Sequence, residues 1–104
     1  MFHDIEDVKE ANRRAGQHFF SPDTMRFFSS RVHDTLYAGR FFVTSERHRQ
    51  RTERLYTVRI AYPDGHIGTY GDFEEYASRN GAHAAAKKAG KEWLEMEAGT
   101  RNAG

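Results

Sequence analysis

The densest run of residues able to do chemistry is Arg47-His48-Arg49-Gln50-Arg51-Thr52-Glu53-Arg54, four arginines against one glutamate. A guanidinium is a flat fork that grips phosphate oxygens in pairs, so arginines on a loop suit a phosphate backbone. Arg59 on the strand that follows, and Lys87, Lys88 and Lys91 further along, extend this basic set. If loop and lysines face the same way, they form two contact points on a nucleic acid. The plainer alternative is a solvated hairpin tip whose charges discourage strand-edge aggregation.

Other chemistries find less. The six histidines are dispersed, with no pair four apart on a helix and no His-x-His on a strand, so no metal site is expected. The adjacent pairs His33-Asp34 and His3-Asp4 would each need a tertiary partner. Asp72, Glu74 and Glu75 form a small acidic group of the kind that can work as acid and base, and also the kind that is simply polar loop. No serine stands in a Gly-x-Ser-x-Gly turn, and neither a Walker-type phosphate loop nor Gly-x-Gly-x-x-Gly occurs. With no cysteine, thiolate metal sites, disulfides and cysteine nucleophiles are excluded. The expectation is a protein that is not an enzyme and carries no cofactor.

The elements that must position these residues read clearly. At 104 residues the chain is one domain, expected to span 1–98 with a flexible tail at 99–104. A hydrophobic content of 38% is low, but eight Phe and five Tyr supply large buried areas. Net charge is +1, so any electrostatic signal must be local. No apolar run approaches the ~18 residues that span a bilayer, and the acidic start MFHDIEDVKE is unlike a signal peptide. A soluble protein of the cytoplasm is expected, with no membrane partner.

Residues 4–15 carry an apolar stripe at three-to-four spacing, with acids first and Arg13, Arg14 last, matching the helix dipole. Ser21-Pro22 starts a second, short helix to about residue 29. Its aromatics Phe19, Phe20, Phe27 and Phe28 are expected in the core, the alternative being an exposed patch that grips a partner. Residues 35–37 and 40–47 read as strands joined across Ala38-Gly39. Residues 54–62 alternate, with Tyr56, Val58 and Ile60 on one face and Leu55, Thr57, Arg59 and Ala61 on the other. Pro63-Asp64-Gly65 turns into a last strand at 66–70. The polar face bearing Thr44, Thr57 and Arg59 is expected to meet water or a ligand.

Residues 73–77 read as loop, and Ser78 caps an alanine-rich helix from about 79 to 97. Its inner face is expected at Ala82, Ala85 or Ala86, Ala89, Trp93 and Met96, with Gly90 tolerated at about 1 kcal/mol. The fold class is therefore α+β: N-terminal helices, a three- to four-stranded antiparallel β-meander, and a C-terminal Ala-rich helix packed on the sheet, with the helices on one face.

Several blocks resemble small uncharacterised proteins of actinobacteriophages and their hosts, a family of unknown function. They are Phe19-Phe20-Ser21-Pro22-Asp23-Thr24-Met25-Arg26-Phe27-Phe28, Arg40-Phe41-Phe42-Val43-Thr44-Ser45-Glu46, Leu55-Tyr56-Thr57-Val58-Arg59, Asp64-Gly65, and Tyr76-Ala77-Ser78-Arg79. The resemblance runs from about residue 12 to 88; it implies a phage or prophage origin and a bacterial host's cytoplasm, and brings no activity. In element order the chain is also similar to double-stranded-RNA-binding domains, which use a first hairpin loop and the start of the last helix. Ile67-Gly68-Thr69-Tyr70 with Glu74-Glu75 and Ala77 resembles plant ethylene-response-type DNA-binding domains, which lay a sheet in the major groove.

Two functions follow as expectations. The first is a nucleic-acid-binding accessory protein using Arg47, Arg49, Arg51, Arg54, Arg59, Lys87, Lys88 and Lys91, with DNA or RNA as partner. The alternative is a protein-binding module that modulates a host protein through exposed aromatics such as Tyr37, Phe42 or Tyr70.

Overall fold

The computed structural model describes residues 1–48 and 50–103, with side chains to residue 99; Arg49 lies outside the described residues. Helix α1 (Ile5–Arg14) begins at Asp4, whose carboxylate accepts the Asp7 N–H, and carries Glu6 and Asp7 in its first turn and Arg13 and Arg14 in its last. Helix α2 (Pro22–Phe27) is capped by Ser21, which accepts the Thr24 N–H. Four strands follow, β1 (Arg31–Val32), β2 (Phe41–Glu46), β3 (Leu55–Ala61) and β4 (Ile67–Thr69), then the long helix α3 (Arg79–Ala103). The sheet is an antiparallel meander in the order β1-β2-β3-β4. This is the expected α+β architecture.

The first strand lies elsewhere than expected. Arg31 and Val32 pair with Ser45 and Thr44, while Tyr37 makes only a single bridge to Phe41. The chain leaves the ladder between them, turning Leu36 into the core. Thr-Leu-Tyr has good strand propensity, but an edge strand has one neighbour to follow, and side-chain burial decides where it detaches. The expected turn is in place, with Ala38 and Gly39 both at positive φ.

The two sheet faces carry separate cores. Phe41, Val43, Val58 and Ile60 pack beneath Ala82, Ala86 and Ala89 of α3. Phe42 and Ala61, on the opposite face, pack under Ile5 and Val8 of α1, with Phe19 and Phe20 at the margin. Helices therefore cover both faces, not one. As a result β2 is buried along its whole length, and the polar face expected to meet water or a ligand is closed: Thr44 and Thr57 have no exposed surface. A sheet laid in a DNA groove needs an open face, which this chain lacks.

Small residues set how close the helices come. Gly90 is buried, and a Cβ there would stand 3.0 Å from the Ala38 Cβ, so glycine lets α3 touch the Tyr37-Ala38 turn. Further along, Arg40 lies over the Trp93 ring at 4.8 Å and reaches Glu97, which also accepts the Trp93 indole N–H at 2.6 Å. Ser78 starts α3 by accepting the Gly81 N–H. Its 25 residues rise about 37 Å, longer than the sheet is broad. Met96, expected on the inner face, is 67% exposed where the helix overhangs, and the helical backbone runs on through residues 99–103, into the stretch read as a tail.

On the other side, α1 is joined to the β3–β4 turn through Asn12. This buried amide donates to the Gly65 carbonyl at 2.8 Å and accepts the Phe19 N–H at 3.2 Å. Gly65 has φ +97, and a Cβ there would collide with the Ala11 carbonyl. Replacing Gly65 by Ala combines a strained backbone with overpacking and is expected to cost on the order of 3 kcal/mol, read as a lowered urea midpoint. Asn12→Ala, which leaves buried polar groups unpaired, is expected to cost about 2 kcal/mol in the same measurement.

Candidate nucleic-acid interface

The structure divides the candidate cations in two. Arg51 and Arg59 turn inward. Arg59 donates through Nε to Thr44 Oγ1 (2.9 Å) and through a terminal nitrogen to Thr69 Oγ1 (2.6 Å), and pairs with Glu46 at 3.4 Å. Phe19 and Phe73 flank its guanidinium at 5.3 and 5.4 Å. Glu46 is buried and also accepts from Thr57 Oγ1 at 2.7 Å. Thr57 Oγ1 in turn accepts the Glu74 N–H at 2.8 Å, and the Glu74 carboxylate pairs with Arg51. This network explains the closed polar face, because Thr44, Glu46, Thr57 and Arg59 meet partners inside it, while Arg51 Nε is left without one. It also gives the acidic group a structural role: Glu74 sits at φ +58, and Glu75 accepts the Asp72 N–H at 2.9 Å, which holds its carboxyl below the usual range.

Arg54 differs from its neighbours. It donates to Ser45 Oγ (3.0 Å), to the Ser45 carbonyl (2.9 Å) and to the Ser29 carbonyl, all neutral acceptors. Burial lowers its pKa and the nearby Arg31 and Arg47 push the same way. The fold thus holds an arginine in place without a carboxylate.

A contiguous basic edge grows out from there. Arg31 on the edge strand and Arg47 at the end of β2 are exposed. Arg79, His83, Lys87 and Lys91 recur every four residues along one flank of α3, a stripe about 18 Å long. His33, beside β1, connects the two groups: its Nδ1 lies 2.9 Å from His83 Nε2, and the Tyr37 hydroxyl lies 2.9 Å from His83 Nδ1. Burial lowers the His33 pKa, then His83, Arg79 and Arg54, against an opposing Asp34. His83 is lowered by burial and then by Arg79. The Tyr37 hydroxyl, His83 and His33 thus form one hydrogen-bonded chain. Lys87, Lys88 and Lys91 are exposed and lie beside Tyr37 and Ala38.

Among the residues whose side chains are described, Arg31, Arg47, Arg54, Arg79, Lys87, Lys88 and Lys91 form no ion pair with a carboxylate, while Lys9, Arg13, Arg14, Arg26, Arg40, Arg51 and Arg59 do. Sequence reasoning missed Arg31, His33, Arg79 and His83. The four-residue repeat 79-83-87-91 was the signal that could have found Arg79 and His83; His33 and Arg31 are joined to it only by the fold.

The aromatic anchors of the alternative function fare unevenly. Phe42 is buried and cannot meet a partner, Tyr37 is half-buried against His83, and Tyr70 is 43% exposed. Phe19, Phe20 and Phe28 are half-buried as expected of core aromatics, but Phe27 is 74% exposed. Among the described residues no cluster of three His, Asp or Glu is placed to hold a metal, and no helix is long and apolar enough to cross a membrane.

Two tests probe this part of the molecule. Glu46→Ala strands the Arg59 guanidinium and is expected to cost about 3–5 kcal/mol. The pair Glu46→Leu with Arg59→Leu should recover part of that loss in chemical denaturation. The histidine pair sets a pH dependence. Unfolded histidine titrates near about 6.5 and the folded pair lower, so between the two the unfolded chain holds more protons and stability rises with pH. The melting temperature should be level above about pH 6.5 and fall as pH drops below it. His33→Asn with His83→Gln should flatten that fall; an unchanged slope would remove the pair as its source.

The chain matches no curated protein and no solved structure. Over residues 4–87 it matches the family of unknown function DUF7447, a span that takes in α1, the whole sheet and the basic first turns of α3, and the chain belongs to that family.

Proposed function

We propose that this is a small phage-type accessory protein of the bacterial host's cytoplasm that binds nucleic acid, holding the sugar-phosphate backbone along the edge formed by Arg31, Arg47, Arg54, Arg79, Lys87 and Lys91. The observation that carries the reading is the segregation of unpaired cations. Apart from Arg40, which pairs with Glu97 beside Trp93, the ion-paired arginines and lysines lie on α1, on α2 or within the polar network, so their charge is already answered. Among the described residues the cations of the basic edge form no ion pair with a carboxylate, and Asp34 opposes the other charges acting on His33. A net charge of +1 is compatible with a locally basic edge, because Glu6, Glu10, Asp23, Glu46 and Glu74 pair with cations away from it. Relative to the expected footprint, Arg51, Arg59 and Lys88 leave the contact set, Arg49 lies outside the described residues, and Arg31 and Arg79 enter it.

A second reading, a protein-binding module that modulates a host protein, is favoured by Phe27, which is 74% exposed and packs only edge-on against Phe28. Salt separates the two. Nucleic-acid binding through this edge should weaken steeply with salt, and each lost phosphate contact should reduce the slope of log K against log salt by about 1. Anisotropy titrations of wild type beside Arg31→Ala, Arg47→Ala and Arg79→Ala combined should show weaker binding and a shallower slope, whereas Arg13→Ala with Arg14→Ala on α1 should leave both unchanged. Equal binding by the two variants would overturn the reading.

A further inference from the structure

We propose that the ligand of this edge is a single strand rather than a duplex, with a base seated in the groove between α3 and the Tyr37-Ala38 turn; this rests on the nucleic-acid reading above. The groove has a volume of about 560 Å³ and is lined by Tyr37, Ala38, Ala84, Gly90 and Leu94 together with Lys87, Lys88 and Lys91. Its floor is apolar, its rim carries three ammonium groups without carboxylate partners among the described residues, and Leu94 is 46% exposed above it. Gly90 lines it at the point where α3 touches the Tyr37-Ala38 turn, since a Cβ there would stand 3.0 Å from the Ala38 Cβ.

The groove continues the stripe of Arg79, His83, Lys87 and Lys91, so one ligand running along the edge meets cations and apolar floor in alternation. A duplex keeps its bases stacked inside and presents phosphates outward, which would satisfy the lysines and leave the floor unused. A single strand offers both parts at once: phosphates for the lysines and an unstacked base for the apolar walls, to which Tyr37, Ala38 and Leu94 contribute. Cationic grooves with an aromatic wall hold single strands in this manner, tolerant of sequence because every base has an apolar face.

The test compares three labelled probes of equal length on the folded wild-type chain: an oligothymidine strand, a duplex, and a strand of abasic sites. The oligothymidine should bind about tenfold more tightly than the duplex or the abasic strand at equal salt. Leu94→Ser, at an exposed helix position whose fold is checked by circular dichroism, should weaken the oligothymidine about fivefold and leave the other two unchanged. Duplex or abasic binding as tight as oligothymidine, or indifference to Leu94→Ser, would overturn the single-strand inference. The broader reading would then stand if the combined Arg31, Arg47 and Arg79 variant still lost affinity. Absence of binding by all three probes would remove both. Saturable binding of a labelled acidic Glu/Leu peptide, lost in Leu94→Ser, would assign the groove to a protein segment instead.

Discussion

The buried carboxylate of Glu46 is the constraint on which the rest of this structure turns. A charge without solvent requires a counter-charge and hydrogen bonds that complete its shell. Here Arg59 supplies the first and Thr57 contributes to the second. Because Arg59 also reaches Thr44 and Thr69, one guanidinium ties β2, β3 and β4 together. Because Phe19 and Phe73 flank it, the segment before α2 and the segment before α3 close over the same point. Remove the carboxylate and the covering aromatics would press an unpaired cation into an apolar site.

That network is what permits helices on both faces of a four-stranded sheet in a chain of modest hydrophobicity. The α3 side is conventional in content, large apolar strand residues meeting alanines that allow close approach. The α1 side works with fewer apolar groups, and Asn12 and Gly65 fix the helix to the sheet by a buried hydrogen bond and a glycine-only contact. Each side relies on one position where a Cβ would not fit comfortably, Gly65 under α1 and Gly90 in α3.

The same architecture sorts the charges. Glu6 and Glu10 on α1, Asp23 on α2 and Glu74 in the β4–α3 segment are paired with nearby cations, while among the described residues the edge made by β1, the end of β2 and one flank of α3 keeps its cations out of ion pairs. His33 and His83, joined at 2.9 Å in the middle of that edge, stay neutral more readily than ordinary histidines because burial and neighbouring arginines oppose a further positive charge. The edge is thus a permanent cation surface built of arginine and lysine, with a neutral imidazole pair at its centre and an apolar groove at its α3 end.

Much of this was written locally. The Asp4 and Ser21 caps, the Asp64-Gly65 turn, the alternation in β3 and the alanine face of α3 depend on residues a few positions apart, and caps, turn dihedrals and periodicity act over that range whatever surrounds them. The basic cluster near the β2–β3 connection was equally visible as composition. What composition could not decide was which arginines face outward: Arg51 and Arg47 look alike in the chain, and only the position of Glu74, brought across from the far side of β4, turns Arg51 inward. Likewise Thr44, Thr57 and Glu46 have the polarity of a solvent face, and become interior only because α1 and the Phe19-Phe20 segment return over them. The basic edge joins residues 31, 33, 47 and 54 to residues 79–91 across a sheet. Contacts at that separation are set by which faces bury together, and no local preference encodes them.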